Sequence, residues 1–156
     1  YVDALINLAT LLGDQGRFDQ ALPLFESALQ NGGQRVEVYN NLGTAHLKMG
    51  AYARAEAVLR RGIALGAPRP GLYFNLGGAL EGQGQMVAAA AAYGRAVEID
   101  STYARAYYNL ALLYEGEGDT AAAADNYQAF LRHWRGAAAF SAQAQERLQR
   151  LARDRR

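Results

Sequence analysis

The chain has 156 residues, of which 51% are hydrophobic and 20% charged, with a formal net charge of +1 and no cysteine. This hydrophobic content excludes a disordered tail, and the near-zero charge provides no overall field to attract nucleic acid or anionic lipid. The longest apolar runs are interrupted well before the roughly 20 residues that a membrane span requires, and without cysteine there is no disulfide framework and no indication of a cellular compartment.

A five-residue stretch returns at a constant interval along the chain. Tyr39-Asn40-Asn41-Leu42-Gly43 has counterparts at 73–77 and 107–111, and a fourth at 5–9. The asparagines before the leucines are spaced by 41 − 7 = 34, 75 − 41 = 34 and 109 − 75 = 34. Three further columns keep this step: Leu8, Leu42, Leu76 and Leu110; Gly16, Gly50, Gly84 and Gly118; Ala21, Ala55, Ala89 and Ala123. A constant period of this size predicts an array of stacked repeats.

Apolar residues at helical spacing predict two helices in each repeat. We expect Asp19 to cap the second helix, whereas Gly and Pro end the helices between units. In chain order the predicted helices are Val2 to about Gly13, one that follows Asp19 to about Gln30, Val36 to about Met49, one that follows the Gly50 turn to about Leu65, Gly71 to about Glu81, Met86 to Ile99, Ala104 to Glu115 and Thr120 to Trp134. Ala138 to about Arg153 has one apolar stripe, Phe140, Ala144, Leu148 and Leu151, which is typical of a helix that caps a stack.

The repeated pattern resembles the tetratricopeptide repeat, a helix-turn-helix unit of this period. In the fourth unit it consists of Tyr107, Leu110, Ala111, Tyr114, Gly118, Ala123 and Tyr127. The resemblance implies an all-α, right-handed superhelical solenoid of four units with a C-terminal capping helix. The expected division of this single domain is 2–35, 36–69, 70–103, 104–137 and 138–156.

The family resemblance also implies that the first helix of each unit lines a concave groove. Helix interiors disfavour Asn by several tenths of a kcal/mol relative to Ala, so an Asn in all four units needs a reason. A side-chain amide can pair with both polar groups of a peptide backbone, and the column resembles the asparagine ladder of O-linked N-acetylglucosamine transferases and kinesin light chains. The alternative is that each Asn bonds within its own repeat. The predicted peptide-binding residues are Asn7, Asn41, Asn75, Asn109, Asn40, Lys48, Phe74, Glu81, Arg105 and Tyr108.

Some of these residues have a second interpretation. Phe74 and Tyr108 would either hold apolar side chains of a ligand or pack onto an adjacent helix. Residues 79–137 hold four Arg and seven Asp or Glu, a net charge of −3. Glu81 and Glu115 would therefore either favour a basic ligand or belong to a solvated face. The family's carboxylate clamp for chaperone tails is not expected, because only Arg105 and the asparagines match its positions.

Catalytic, cofactor and metal sites are not predicted. Residues 116–121 match a dinucleotide fingerprint by letters, but they join two helices and follow no strand. His46 falls in a core column and His133 near a helix end, so they form no metal pair.

These observations favour a non-catalytic scaffold that binds an extended protein or peptide segment, with no nucleic acid and no membrane insertion. Two alternatives remain open: a structural self-assembly module with an inert groove, and the substrate-recognition arm of a larger enzyme. The first helix is apolar on nearly every side and has no cap. We therefore expect Val2, Leu11 and Leu12 to meet either a preceding repeat or a second copy of the chain, which would form a homo-oligomer.

Overall fold

The computed structural model describes residues 1–154, and every regular element in that part of the chain is an α-helix. The helices are α1 (Val2–Asp14), α2 (Phe18–Gln30), α3 (Val36–Lys48), α4 (Tyr52–Ala64), α5 (Pro70–Gly82), α6 (Met86–Ile99), α7 (Ala104–Glu117), α8 (Thr120–His133) and α9 (Ala138–Asp154). Each predicted helix is present, and the expected all-α repeat fold is confirmed. Residues 155 and 156 of the predicted capping helix lie outside the described residues.

The chain forms two compact units, Tyr1–Ala89 and the part from Ala90 onward, with the division inside α6. In the first unit α1 pairs with α2 and α3 with α4, while α5 packs against α4 and lies beside α3. In the second unit α7 pairs with α8, and α9 packs against α8. The finer division into five segments stays a prediction.

The glycine column ends the first helix of each repeat for a conformational reason. Gly16, Gly50, Gly84 and Gly118 have φ angles of 75°, 71°, 75° and 79°. Residues with a Cβ rarely adopt this left-handed region, whereas glycine does so without strain. The turn between the paired helices therefore depends on glycine at this position.

The leucines of the repeated column differ in their exposure to solvent. Leu42 is 2% exposed and packs in a cluster with Ala9 and Phe25 of the preceding hairpin. The corresponding Leu8 is 48% exposed, and Leu11 on the same face of α1 is 53% exposed. Leu11 is thus exposed, and its expected contact with another repeat or a second copy stays a prediction. The expectation is wrong for Leu12, which is buried in the same cluster as Ala21 and Phe25 of α2.

The predicted cap at Asp19 is also wrong. Helix α2 begins at Phe18, and its N-cap residue Arg17 makes no side-chain capping bond. Asp19 lies in the first turn instead, where a carboxylate interacts favourably with the helix dipole. Helix α8, by contrast, has a side-chain cap: Oδ1 of its N-cap residue Asp119 accepts a hydrogen bond of 2.9 Å from the Ala122 amide.

Candidate functional site

Polar side chains of α1, α3 and α5 form a hydrogen-bonded row in the first unit. Asn75 Nδ2 donates to Asn40 Oδ1 at 2.9 Å and to Thr44 Oγ1 at 3.0 Å. Asn41 Nδ2 donates to Thr10 Oγ1 at 3.3 Å. The Thr44 hydroxyl donates to the backbone oxygen of Asn40 at 2.9 Å, so its oxygen is oriented to accept from Asn75. We call Thr10, Asn40, Asn41, Thr44 and Asn75 the amide row.

The amide row leaves two of its side-chain oxygens, on Asn41 and Asn75, without a hydrogen-bond donor among residues 1–154. Both hydrogens of the Asn75 amide are engaged, while no described residue donates to Oδ1 of Asn41 or Asn75. In the described part of the chain no fully buried side-chain nitrogen or oxygen lacks a partner, so neither of these two oxygens is completely buried. The row therefore presents carbonyl oxygens that can accept from a ligand's N–H groups.

The other two asparagines of the column differ from this pattern. Asn7 is exposed and Asn109 is half-buried, and neither side chain makes a hydrogen bond to another described residue. The column is continuous in sequence, but bonds between helices engage only Asn41 and Asn75. For those two residues, the bonds offset the poor helix propensity of Asn.

Two cavities of the first unit are lined by residues of the amide row. One, of about 220 Å³, has Thr10, Asn41 and Thr44 of the amide row in its wall, together with Phe18, Phe25 and Lys48. The other, of about 260 Å³, is lined by Asn40, Glu37, Arg69 and Pro70 among others. Arg69 and Glu37 form an exposed ion pair of 3.1 Å at this second cavity. Of the predicted residues, Asn41 and Lys48 thus line the first cavity and Asn40 the second, and Asn75 is hydrogen-bonded to Asn40.

In the second unit the predicted aromatic residue Tyr108 packs on its own hairpin. Its ring centroid lies 5.8 Å from that of Tyr127, edge to face, and 5.1 Å from that of Phe130. The ring remains half-buried. Packing on Tyr127 and Phe130 therefore covers part of the Tyr108 ring, so only the remainder is accessible to a ligand.

The remaining predicted residues lie in both units. Phe74 and Glu81 are half-buried in the first, and each has an interaction partner. In the second, Arg105 is exposed over the ring of Tyr103 at 5.5 Å and borders a cavity of about 220 Å³ with Asp100 and Trp134.

Glu115 belongs to a polar cluster that the sequence did not reveal. Its carboxylate accepts hydrogen bonds from the Tyr127 hydroxyl at 2.7 Å, from Arg147 at 3.0 Å and from Arg150. Partial desolvation acts to raise the pKa of Glu115, but these three donors outweigh it and hold the pKa below its ordinary value. Both interpretations of Glu115 were therefore wrong, because arginines of α9 already occupy its carboxylate. The spacing offered a signal, since 150 − 115 = 35 equals 75 − 40 = 35, the offset of the Asn40–Asn75 bond.

Two further classes of site can be addressed for residues 1–154. No helix there combines the length and apolar character that a membrane span requires. The same residues contain no group of three or more His, Cys, Asp or Glu side chains placed to hold a metal ion.

The comparisons with known proteins agree with the repeat fold. Tetratricopeptide repeat models match residues 6–70, 82–118 and 105–136, which together cover more than half of the chain. No curated protein sequence matches it.

Solved structures share its fold at low identity. The crystal structure of MamA protein is 21% identical with a TM-score of 0.76, covering 97% of this chain and 86% of that one. MamA 41-end from Desulfovibrio magneticus RS-1 is 21% identical with a TM-score of 0.78, covering 85% and 75%. YrrB, described as a TPR protein with an unusual peptide-binding site, is 20% identical with a TM-score of 0.76, covering 97% and 76%. Identities this low show the fold alone.

Proposed function

Because the chain belongs to the tetratricopeptide repeat family, we propose that it is a non-catalytic scaffold that binds an extended peptide or partner segment along the first helices of its repeats. Members of this family are generally interaction modules, and YrrB of the same fold is described as having a peptide-binding site. The net charge of +1 supports a protein ligand rather than nucleic acid or a membrane.

The observation that carries the proposal is the pair of amide oxygens on Asn41 and Asn75, which have no donor among the described residues and are not completely buried. An extended ligand presents backbone N–H groups whatever its sequence, and each accepted bond contributes about 1 kcal/mol net. Several such bonds together with a filled cavity correspond to roughly micromolar affinity. Asn7, Asn40, Lys48, Phe74, Glu81, Asn109, Arg105 and Tyr108 are the further proposed contacts.

A random peptide library displayed on phage and selected on the folded domain tests this function. Affinities of the selected peptides are then measured by fluorescence anisotropy for the wild type and for the combined Asn41→Ala, Asn75→Ala and Asn109→Ala variant. We expect at least a roughly tenfold loss of affinity in this variant. Asn126→Ala, an equal change on α8 where Asn126 bonds the Ala122 carbonyl, is the matched control. Unchanged affinity at unchanged helicity would refute peptide binding along the amide row.

The open face of α1 favours a second candidate, a self-assembly module with an inert groove. Leu8 and Leu11 are both about half exposed on a helix face that is buried in α3. The occupant would be a second copy of this chain. Analytical ultracentrifugation should then show a dimer that Leu8→Glu with Leu11→Glu dissociates, whereas Val87→Glu, a change at another exposed apolar residue, does not. A wild-type monomer at high concentration would exclude this candidate. The recognition arm of a larger enzyme stays a further alternative, which the flanking sequence would test.

A further inference from the structure

Glu115 in the second unit shows that this position of the repeat can accommodate a carboxylate with hydrogen-bond partners on neighbouring helices. Its side chain extends from the end of α7 toward α8 and α9. Its carboxylate accepts hydrogen bonds from the Tyr127 hydroxyl on α8 and from the guanidinium groups of Arg147 and Arg150 on α9. A carboxylate at this position is thus bound from two sides by residues of neighbouring helices.

The corresponding positions of the first unit lie three periods earlier. Since 115 − 13 = 102 and 150 − 48 = 102, Gly13 replaces Glu115 and Lys48 replaces Arg150. By the same offset Phe25 stands for Tyr127 and Ala45 for Arg147. The first unit therefore has a cationic residue, Lys48, at the position of Arg150, but no carboxylate at the position of Glu115.

The first unit is open where that carboxylate would lie. The cavity of about 220 Å³ is lined by Gly13, Phe25, Ala45 and Lys48, the same four positions. A Cβ built on Gly13 would meet nothing within 4 Å. Lys48 is exposed and forms no ion pair with the described residues, and it is the only lysine of the chain.

We propose that this cavity binds a carboxylate of the ligand at Lys48, either an acidic side chain or a free chain terminus, in the place that Glu115 fills in the second unit. This inference rests on the proposed function and names the ligand chemistry of one part of the groove. An ammonium group binds a carboxylate by charge-assisted hydrogen bonds, which are stronger than neutral ones.

The other walls of the cavity suit such a ligand. Half-buried Phe18 provides apolar surface for the carbon atoms that carry the carboxylate, whereas Phe25 is almost fully buried behind it. Asn41 and Thr44 can bond the adjoining backbone. Asp14 also lines the cavity and repels a second negative charge. Binding therefore depends on Lys48, and a singly charged ligand is favoured over a run of acidic residues. The family's clamp for chaperone tails would use the positions of Ile6 or Asn40, so this site is separate from it.

A double-mutant cycle tests the geometry without any ligand. Gly13→Glu returns a carboxylate to the cavity, and Gly13→Gln is its uncharged match. We expect Gly13→Glu to raise the melting temperature by about 2 °C relative to Gly13→Gln, and this difference to vanish when both are combined with Lys48→Gln. An equal difference with and without Lys48 would contradict the proposed pairing.

Nuclear magnetic resonance of the protein labelled with ¹³C-lysine tests the ligand, because a single lysine gives a single set of signals. The probes are acetyl-Ala-Glu-Ala-amide, acetyl-Ala-Gln-Ala-amide and acetyl-Ala-Ala-Ala with a free terminal carboxylate. At least one acidic probe should shift the Lys48 ε signal saturably and bind about tenfold more tightly than the glutamine probe. Which acidic probe does so identifies side chain or terminus as the source. Gly13→Glu should abolish the shift, and equal binding of all three probes overturns the proposal.

Failure of this inference and failure of the proposed function give different results. Library-selected peptides that lose affinity in the asparagine variant but are unaffected by Lys48→Gln or Gly13→Glu would leave the scaffold function standing and remove the carboxylate site. Selected peptides that ignore the asparagines but depend about tenfold on Lys48 would support the carboxylate site and refute binding along the amide row.

Discussion

Glu115 and Arg147, 32 positions apart in the sequence, form an ion pair in which Arg147 Nη1 lies 3.0 Å from Glu115 Oε2. The Tyr127 hydroxyl donates to the same oxygen at 2.7 Å. The capping helix α9 is therefore attached to α7 by a polar contact in addition to the apolar cluster that contains Ala144 and Leu151.

Replacing Glu115 should weaken the second unit. Glu115→Gln removes the charge that Arg147 and Arg150 bind, so we expect the free energy of unfolding to fall by about 1–2 kcal/mol, with allowance for solvent screening of the arginines. Urea denaturation followed by Trp134 fluorescence measures this, because the Trp134 ring lies 5.6 Å from Phe140 of α9. Glu117→Gln, at an exposed residue of the same helix, should leave the transition in place.

The same variant defines a pH dependence. The folded-state pKa of Glu115 lies below its ordinary value of 4.5, so its contribution is complete above that value and is lost as the pH falls through the folded-state pKa. The difference in unfolding free energy between wild type and Glu115→Gln should therefore shrink on acidification from about pH 7 to about pH 3. A difference that stays constant would show that the carboxylate is not bound as its ionised form.

His46 should make the first unit sensitive to mild acid. Burial disfavours the charged imidazole and lowers the pKa of His46, an effect that Glu26 opposes and Arg54 reinforces. Below about pH 6.5 the unfolded chain binds a proton that the folded chain rejects, so stability falls as the pH drops. His46→Leu, which copies Leu12 and Leu80 of the same column, should lose less stability between about pH 7 and pH 5 in thermal unfolding. Equal losses in both proteins would contradict the burial argument.

The asparagines should divide into two classes of stability effect. Asn75→Ala leaves Asn40 Oδ1 and Thr44 Oγ1 without their donor, and we expect it to cost about 1–2 kcal/mol. Asn7→Ala removes no hydrogen bond and should raise stability by several tenths of a kcal/mol through helix propensity. Circular dichroism during urea unfolding compares the two. Similar effects of both changes would mean that the bonds of Asn75 contribute nothing net.

Replacing Gly62 by alanine should destabilise the protein, although alanine occupies the same position in two other repeats. The corresponding residues Ala28 and Ala96 are alanines, but a Cβ on Gly62 would lie 2.7 Å from Tyr39 Cβ and 3.1 Å from Leu72 Cδ2. Despite a gain in helix propensity of about 1 kcal/mol, Gly62→Ala should lower stability by about 1–2 kcal/mol net through overpacking.

Gly94→Ala is the matched control for this change. A Cβ there meets nothing within 4 Å, so the substitution should raise stability by about 0.5–1 kcal/mol. Thermal unfolding of both variants measures these changes in stability. Stabilisation by Gly62→Ala would show that Tyr39 can shift to accommodate the added methyl group without lowering stability.

The sequence alone determined the repeat, the helices and most of the core. The glycine column encodes turns through a local backbone angle, and the alanine column is buried wherever the period repeats, as Ala21 and Ala123 show. These features depend on residues close together in the chain, or on a pattern that every repeat shares. Helix caps were less predictable, because Asp19 lies within the first turn of α2, whereas Asp119 is itself the N-cap residue of α8.

Only the tertiary structure decided which side chains of a column interact. Asn7 and Asn75 are equivalent by period, yet Asn75 alone reaches Asn40 and Thr44. Glu115 forms ion pairs with Arg147 and Arg150 of α9, whereas at the equivalent position Gly13 leaves a cavity beside Lys48. The physical reason is that these contacts join helices about 30 or more positions apart, where one missing side chain changes what its neighbour can touch while the helical pattern itself stays the same.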